Sequence, residues 1–143
     1  MPFKVMFQEK KPENYFVLVS HILYPALDAN APASLSPRIM TGLLREQLGY
    51  QGIILTDDME MGAVSRYHSF RDIGVKAVLA GADIVMVCHE YAHEQEVYLG
   101  LLEALEQGRI SEERINASVR RILRAKIAHA DSDKEGSGAA MAQ

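Results

Sequence analysis

The chain has 143 residues, of which 48% are hydrophobic and 24% charged, with a formal net charge of −4. That length suits one domain with a real core, and the composition excludes a disordered chain. The acidic balance gives no electrostatic reason to expect nucleic acid or an anionic membrane surface as a partner.

The polar, basic segment from Lys4 to Asn14 reads as a lead-in loop or a frayed helical turn. Tyr15 to His21 (YFVLVSH) is a near-continuous apolar run rich in aromatic and β-branched residues. It predicts a strand buried on both faces. A long loop with Pro25 and Pro32 follows. Ser36-Pro37 then supplies a helix cap and a first-turn proline, and Gly49 stops the helix after about Leu48. The same grammar repeats. Gly52 to Thr56 predicts a short buried strand ending in Asp57-Asp58-Met59-Glu60-Met61, followed by a helix over about 70–79. Asp83 to Cys88 predicts a third strand, followed by a polar loop with His89 and His93 and a helix over about 95–107. Ser111 caps a final helix with apolar positions at Ile115, Val119, Ile122, Leu123 and Ile127, a 3.6-residue period. Residues 131–143 are small and polar and read as a disordered tail.

Strand–helix alternation with apolar strands predicts an α/β fold with a parallel sheet covered by helices. A whole (β/α)8 barrel takes ~250 residues. Three strands therefore suit a partial TIM barrel, three-eighths of the whole, or a small open sheet.

In parallel α/β folds, ligands meet the C-terminal ends of the strands. His21, Asp57 and His89 fall there. Asp57, on a rigid strand end, suits a nucleophile or general base, or alternatively a loop-fixing role. Asp58 points the opposite way along an extended backbone and reads as a structural partner. His21 and His89 are candidates for ligand contact or for simple loop hydrogen bonds, and His93 reads as part of a surface loop. His21, His89 and Asp57 are acceptable zinc ligands, but no paired-ligand spacing supports a metal, and none is expected. Met59 and Met61 suit core filling, or one of them an apolar wall beside the aspartate. Cys88 reads as a buried thiol with no activating base. The sequence has no phosphate-binding glycine loop and no nucleophile elbow, and no cofactor is expected.

The stretch from Leu44 to Ala63 (LREQLGYQGIILTDDMEMGA) closely resembles the signature of glycoside hydrolase family 3, in particular its bacterial β-N-acetylglucosaminidases (β-hexosaminidases), which recycle cell-wall sugars. Three further stretches match in order: Val19 to Asp28 with Pro32-Ala33-Ser34, Ala80 to Cys88, and Ile110 to Lys126. The resemblance implies that residues 1–130 form the C-terminal portion of that family's barrel domain. It implies Asp57 as catalytic nucleophile in retaining hydrolysis of a terminal β-N-acetylglucosaminide. It also implies His21 and Met61 as substrate-binding residues, with an N-acetylglucosamine-containing saccharide as partner. The family's acid/base loop and the residues that grip the N-acetyl sugar have no counterpart here. The chain by itself is therefore expected to be a weak or inactive catalyst, since a missing general acid alone removes ~10²–10⁴-fold in rate.

Two other readings stay open at the level of sequence. One is a non-catalytic fragment whose exposed sheet edges drive homo-oligomerisation. The other is a small α/β binding module. A single cysteine favours a reducing compartment, no apolar run nears the ~20 residues of a membrane span, and the N-terminus lacks the order of a secretion signal. A cytoplasmic protein with no membrane partner is expected.

Overall fold

The computed structural model describes the backbone of residues 2–7 and 15–139 and the side chains of residues 5–7 and 15–130. The order is α1 (Pro2–Phe7), β1 (Val17–Val19), a short 3-10 turn (Ala33–Leu35), a π-wound helix (Arg38–Gln47), β2 (Ile54–Asp58), α2 (Gly62–Ser65), α3 (Phe70–Ala80), β3 (Ile84–Met86), α4 (Tyr91–Glu106) and α5 (Glu112–Ala139). The strands form one parallel sheet in the order β1-β2-β3. This is the expected partial (β/α)8 arrangement: three parallel strands, each followed by helix.

Side chains alternate across a strand, and the two faces of this sheet have different surroundings. Val19 and Ile54 are buried among Ile39, Met40, Ile73 and Ala77 of the flanking helices. Phe16 and Leu18 look the other way and are 50% and 52% exposed. The expectation that the first strand is buried on both faces is therefore corrected. The reason is tertiary: among the described residues nothing covers that second face. β1 is also shorter than the apolar run suggested, because it pairs only through Val17, Leu18 and Val19, with Ile54, Leu55 and Thr56.

The helix after the first loop is wound with i→i+5 bonds, such as Leu48 N–H to the Leu43 carbonyl at 2.9 Å. Ser36 serves it as expected: its Oγ accepts from Ile39 N–H and donates to Asp28 at 2.7 Å. Helices α3 and α4 pack closely enough that a Cβ on Gly100 would fall 2.1 Å from the Arg71 carbonyl oxygen. α4 begins at Tyr91, earlier than the position near 95 read from periodicity. α5 runs as backbone to Ala139, so residues 131–139 are helical where a disordered tail was expected; each residue added to a formed helix gains a backbone bond without a new nucleus. Residues 140–143 lie outside the described residues, as does most of the 4–14 segment beyond Phe7.

Of the apolar positions of α5, Ile115 and Ile122 are half-buried, Ile115 against the core, whereas Val119, Leu123 and Ile127 are exposed; Ser118 and Ala125, on the stripe of Ile115 and Ile122, are buried. A polar demand decides this. The Asp83 side chain, at the base of β3, has no solvent exposure. Its Oδ1 accepts from Ser118 Oγ (2.7 Å) and Arg121 Nη1 (2.9 Å), and its Oδ2 from Arg45 Nη2 (2.5 Å) and Ile54 N–H (3.0 Å). One carboxylate thus ties β2, β3, the π-wound helix and α5 together. Phe16, Ile53 and Ile84, at the strand starts, share a hollow with Ile122, Ala125 and His129, so α5 crosses the N-terminal pole of the sheet.

Removing one partner of a buried ion network costs about 3–5 kcal/mol, because the remaining charges stay desolvated. Asp83→Ala should therefore lose most of the stability of a domain this size, read as a fall in the urea midpoint. An unchanged midpoint would refute the central role given to Asp83.

Candidate active site

Asp57 lies within the central strand, one residue from its end. The β2–β3 register shifts between Leu55 and Asp58, so Thr56 and Asp57 sit in a bulge opposite β3. Bulges beside strand ends re-aim side chains. Burial still alternates along β2: Ile54, Thr56 and Asp58 are buried, whereas Leu55 and Asp57 are half-buried. Asp57 thus shares the open face of the sheet with Leu55, and Asp58 turns toward the helices. One Asp57 oxygen accepts from the Asp58 N–H at 2.9 Å, and no ion pair engages the carboxylate among the described residues.

The peptide after Asp57 is fixed from three sides. His21 Nε2 donates to the Asp58 carbonyl at 2.8 Å, and His21 Nδ1 lies 2.6 Å from Ser34 Oγ. A carbonyl can only accept, so Nε2 carries the proton. In the neutral imidazole the Ser34 hydroxyl then donates to Nδ1. Ser34 is fully buried in the loop after β1. That loop is closed by Ala33 N–H to the Ile22 carbonyl and by Asn30 N–H to Asp28. Asp28 has its carboxyl held below its ordinary value by the Asn30 N–H and by Ser36. Met59 is wholly buried and belongs to the core, whereas Met61 is 46% exposed at the start of α2.

The third side is a pair of carboxylates. Asp58 Oδ1 accepts from Glu60 N–H (3.1 Å) and Cys88 N–H (3.3 Å), and its Oδ2 lies 2.9 Å from His89 Nδ1. Glu60 accepts from the backbone N–H groups of Cys88 (3.0 Å), His89 (2.5 Å) and Glu90 (3.0 Å), and from His93 Nδ1 (2.7 Å). Burial alone would push the Glu60 carboxyl up, but the bonds from His93, His89, Glu90 and Cys88 outweigh it and hold the pKa at about 2. Glu60 thereby anchors residues 88–90, the segment that leads into α4, and reaches the first turn of that helix through the His93 ring.

His93 was read as part of a surface loop. It lies instead in the first turn of α4, half-buried, with its ring stacked on Phe70 at 3.8 Å. Cys88 was read as a buried thiol but is exposed. Partial desolvation and the nearby Asp58, Glu60 and Asp57 charges push its pKa up, which disfavours the thiolate. His21, Asp57 and His89 do not converge as a zinc-like trio, because both His21 nitrogens are engaged and His89 turns to Asp58 and Glu60. Ligand atoms of Asp58, Glu60 and His89 lie within 4.8 Å of one another. The Glu60 oxygens there are already filled by backbone donors, so the cluster acts as a clamp on the loop after β3. Sequence reading missed Ser34 and Glu60. The available signal was the Asp-x-Glu spacing at a strand end, followed thirty residues on by a helix without a capping side chain of its own.

A carboxylate whose folded pKa lies below its unfolded value stabilises fully above the unfolded value. That contribution is lost as pH falls toward the folded value. For Glu60 the window runs from about 4.5 down to about 2. Melting temperature followed from pH 6 to pH 2 should fall less steeply in Glu60→Gln than in the unaltered chain. Parallel curves would remove Glu60 from this role.

The family model for the glycosyl hydrolase family 3 N terminal domain matches residues 1–125. Beta-hexosaminidase A of Pseudoalteromonas piscicida is 30% identical over 88% of this chain and 24% of its own length. A solved glycoside hydrolase family 3 β-N-acetylglucosaminidase from Paenibacillus sp. str. FPU-7 superposes with a TM-score of 0.79 at 44% identity, over 80% of this chain and 22% of that one. The β-N-acetylglucosaminidase from Thermotoga maritima superposes with a TM-score of 0.77 at 32% identity, over 87% and 27%. The chain thus spans about a quarter of the length of these relatives. Its three parallel strands with flanking helices correspond to part of their folds, and the chain belongs to glycosyl hydrolase family 3.

Proposed function

We propose that this chain supplies the nucleophile-bearing part of a retaining β-N-acetylhexosaminidase site. The observation that carries the reading is Asp57: a carboxylate at the C-terminal end of the central strand, on the open face of the sheet, with its following peptide immobilised. In the reaction an Asp57 oxygen attacks the anomeric carbon as the glycosidic C–O bond breaks. The leaving oxygen takes a proton from an acid. Water then displaces Asp57 from the same carbon, giving net retention. Met61 offers an exposed apolar surface beside the sugar. His21, with both nitrogens engaged inside the chain, acts by holding the Asp57–Asp58 segment. The substrate class proposed is a saccharide ending in β-linked N-acetylglucosamine, as the names of the relatives suggest for those proteins, with cell-wall recycling in the cytoplasm as the setting.

The family's acid/base loop has no counterpart in this sequence, so the rate of the chain alone should be lower by ~10²–10⁴-fold for that reason. The open face with Phe16 and Leu18, and the unpaired edges of β1 and β3, support association of copies of the chain. Sedimentation equilibrium giving a monomer at all concentrations would dismiss that part of the reading.

The nucleophile is tested without relying on turnover. A fluorinated, mechanism-based N-acetyl-β-glucosaminide should leave a glycosyl adduct, seen as a mass shift that peptide mapping assigns to Asp57. The adduct should vanish in Asp57→Ala. Labelling elsewhere, or equal labelling of the variant, sinks the assignment.

A further inference from the structure

The Asp83 network has a second consequence, at the pole of the sheet opposite Asp57. A cavity of about 290 Å³ opens there, bordered by Thr41, Arg45, Glu46, Gln51, Arg114 and Arg121. Three guanidinium groups border it, while Asp83, their shared counter-ion, does not. The Asp83 oxygens are already filled from β2, the π-wound helix and α5, and Arg114 Nη1 stands 3.8 Å away. The cavity wall thus carries three positive charges, opposed by Glu46 on the wall and by Asp83 behind it.

The donors are unevenly spent. Arg114 directs Nε to the Val78 carbonyl, Nη1 to Ser118 Oγ and Nη2 to the Ala82 carbonyl. Arg45 gives Nη1 to the Tyr50 and Gly52 carbonyls and Nη2 to Asp83. Among the described residues Arg121 commits only Nη1, to Asp83. Its Nε and Nη2 remain to be offered, in the fork geometry that matches two oxygens of one anion. The charges also strain against each other. Burial is the largest influence lowering the pKa of Arg45 and of Arg114; Asp83 opposes it, and the Arg121 charge lowers both further. The three side chains are only 12%, 24% and 24% exposed, so water screens this repulsion incompletely.

We infer that this cavity is a binding site for a small tetrahedral oxyanion of the phosphate class, gripped chiefly by Arg121. The site does not depend on the glycosidase reading, because it lies beneath the N-terminal ends of the strands and shares no residue with the Asp57 side. Anion binding there would couple to stability, because the guanidinium groups it neutralises join the helices to the sheet.

The test is titration of the full chain with inorganic phosphate at constant ionic strength, chloride being withdrawn as phosphate is added. Melting temperature is followed. The expected result is a saturable rise. Arg121→Gln should weaken the apparent affinity about tenfold, as loss of a charge-assisted bidentate contact does. Arg120→Gln, at an exposed position on the same helix, should leave affinity unchanged. Glu46→Gln leaves the Asp83 network intact and removes the negative charge on the cavity wall, so it should tighten binding several-fold. That variant keeps the proposal testable even where Arg121→Gln does not fold. A response no larger than that to chloride, equal affinity in Arg121→Gln, or unchanged affinity in Glu46→Gln each overturns the site.

Discussion

The structure depends on one buried carboxylate. Asp83 stands where β3 begins and has no access to water, so each of its lone pairs must be satisfied from inside. It is met by a backbone N–H of β2, an arginine of the π-wound helix, and a serine and an arginine of α5. This demand orients α5. It places Ser118 inward, on the stripe of Ile115, Ile122 and Ala125, and leaves the apolar positions Val119, Leu123 and Ile127 outside. With α5 fixed across the N-terminal pole, the C-terminal ends of the strands are left free for chemistry.

At those free ends a second set of carboxylates divides the labour. Asp57 and Asp58 are adjacent, yet alternation sends one to the open face and the other toward the helices. Asp58 and Glu60 then hold the loop after β3 through the N–H groups of Cys88, His89 and Glu90, while His21 holds the carbonyl of Asp58. The loops after β1 and β3 are thereby locked to the segment that presents Asp57. A nucleophile gains from such fixation, because a misplacement of about an ångström can cost two orders of magnitude in rate. The Asp58 and Glu60 carboxylates position the backbone of residues 88–90.

The open face has the same origin as the family relationship. The strands correspond to part of a longer fold in the family 3 relatives, of whose length this chain spans about a quarter. Phe16 and Leu18 are apolar although half of each meets solvent, and among the described residues β1 and β3 are the edge strands of the sheet. Such features belong to a sheet with neighbours.

The sequence by itself determined the alternation of strand and helix, the parallel sheet, the family, and Asp57 as the candidate nucleophile. Each rests on local signals: apolar runs four to seven residues long, Gly49, Gly81 and Gly108 after helices, Ser36 and Ser111 before them, and one dense motif around Asp57. What only the tertiary structure decided is whatever depends on residues far apart in the chain. The anchoring of residues 88–90, just before α4, follows from Glu60, some thirty residues away in the chain. The exposure of Leu18 follows from the lack, among the described residues, of a neighbour over one face. The stacking of His93 on Phe70, the exposure of Cys88 and the inward turn of Ser118 follow from contacts that no window of sequence contains. A local pattern reports what a segment prefers; the pairing of buried charges and the cover of each face are settled only when distant segments meet.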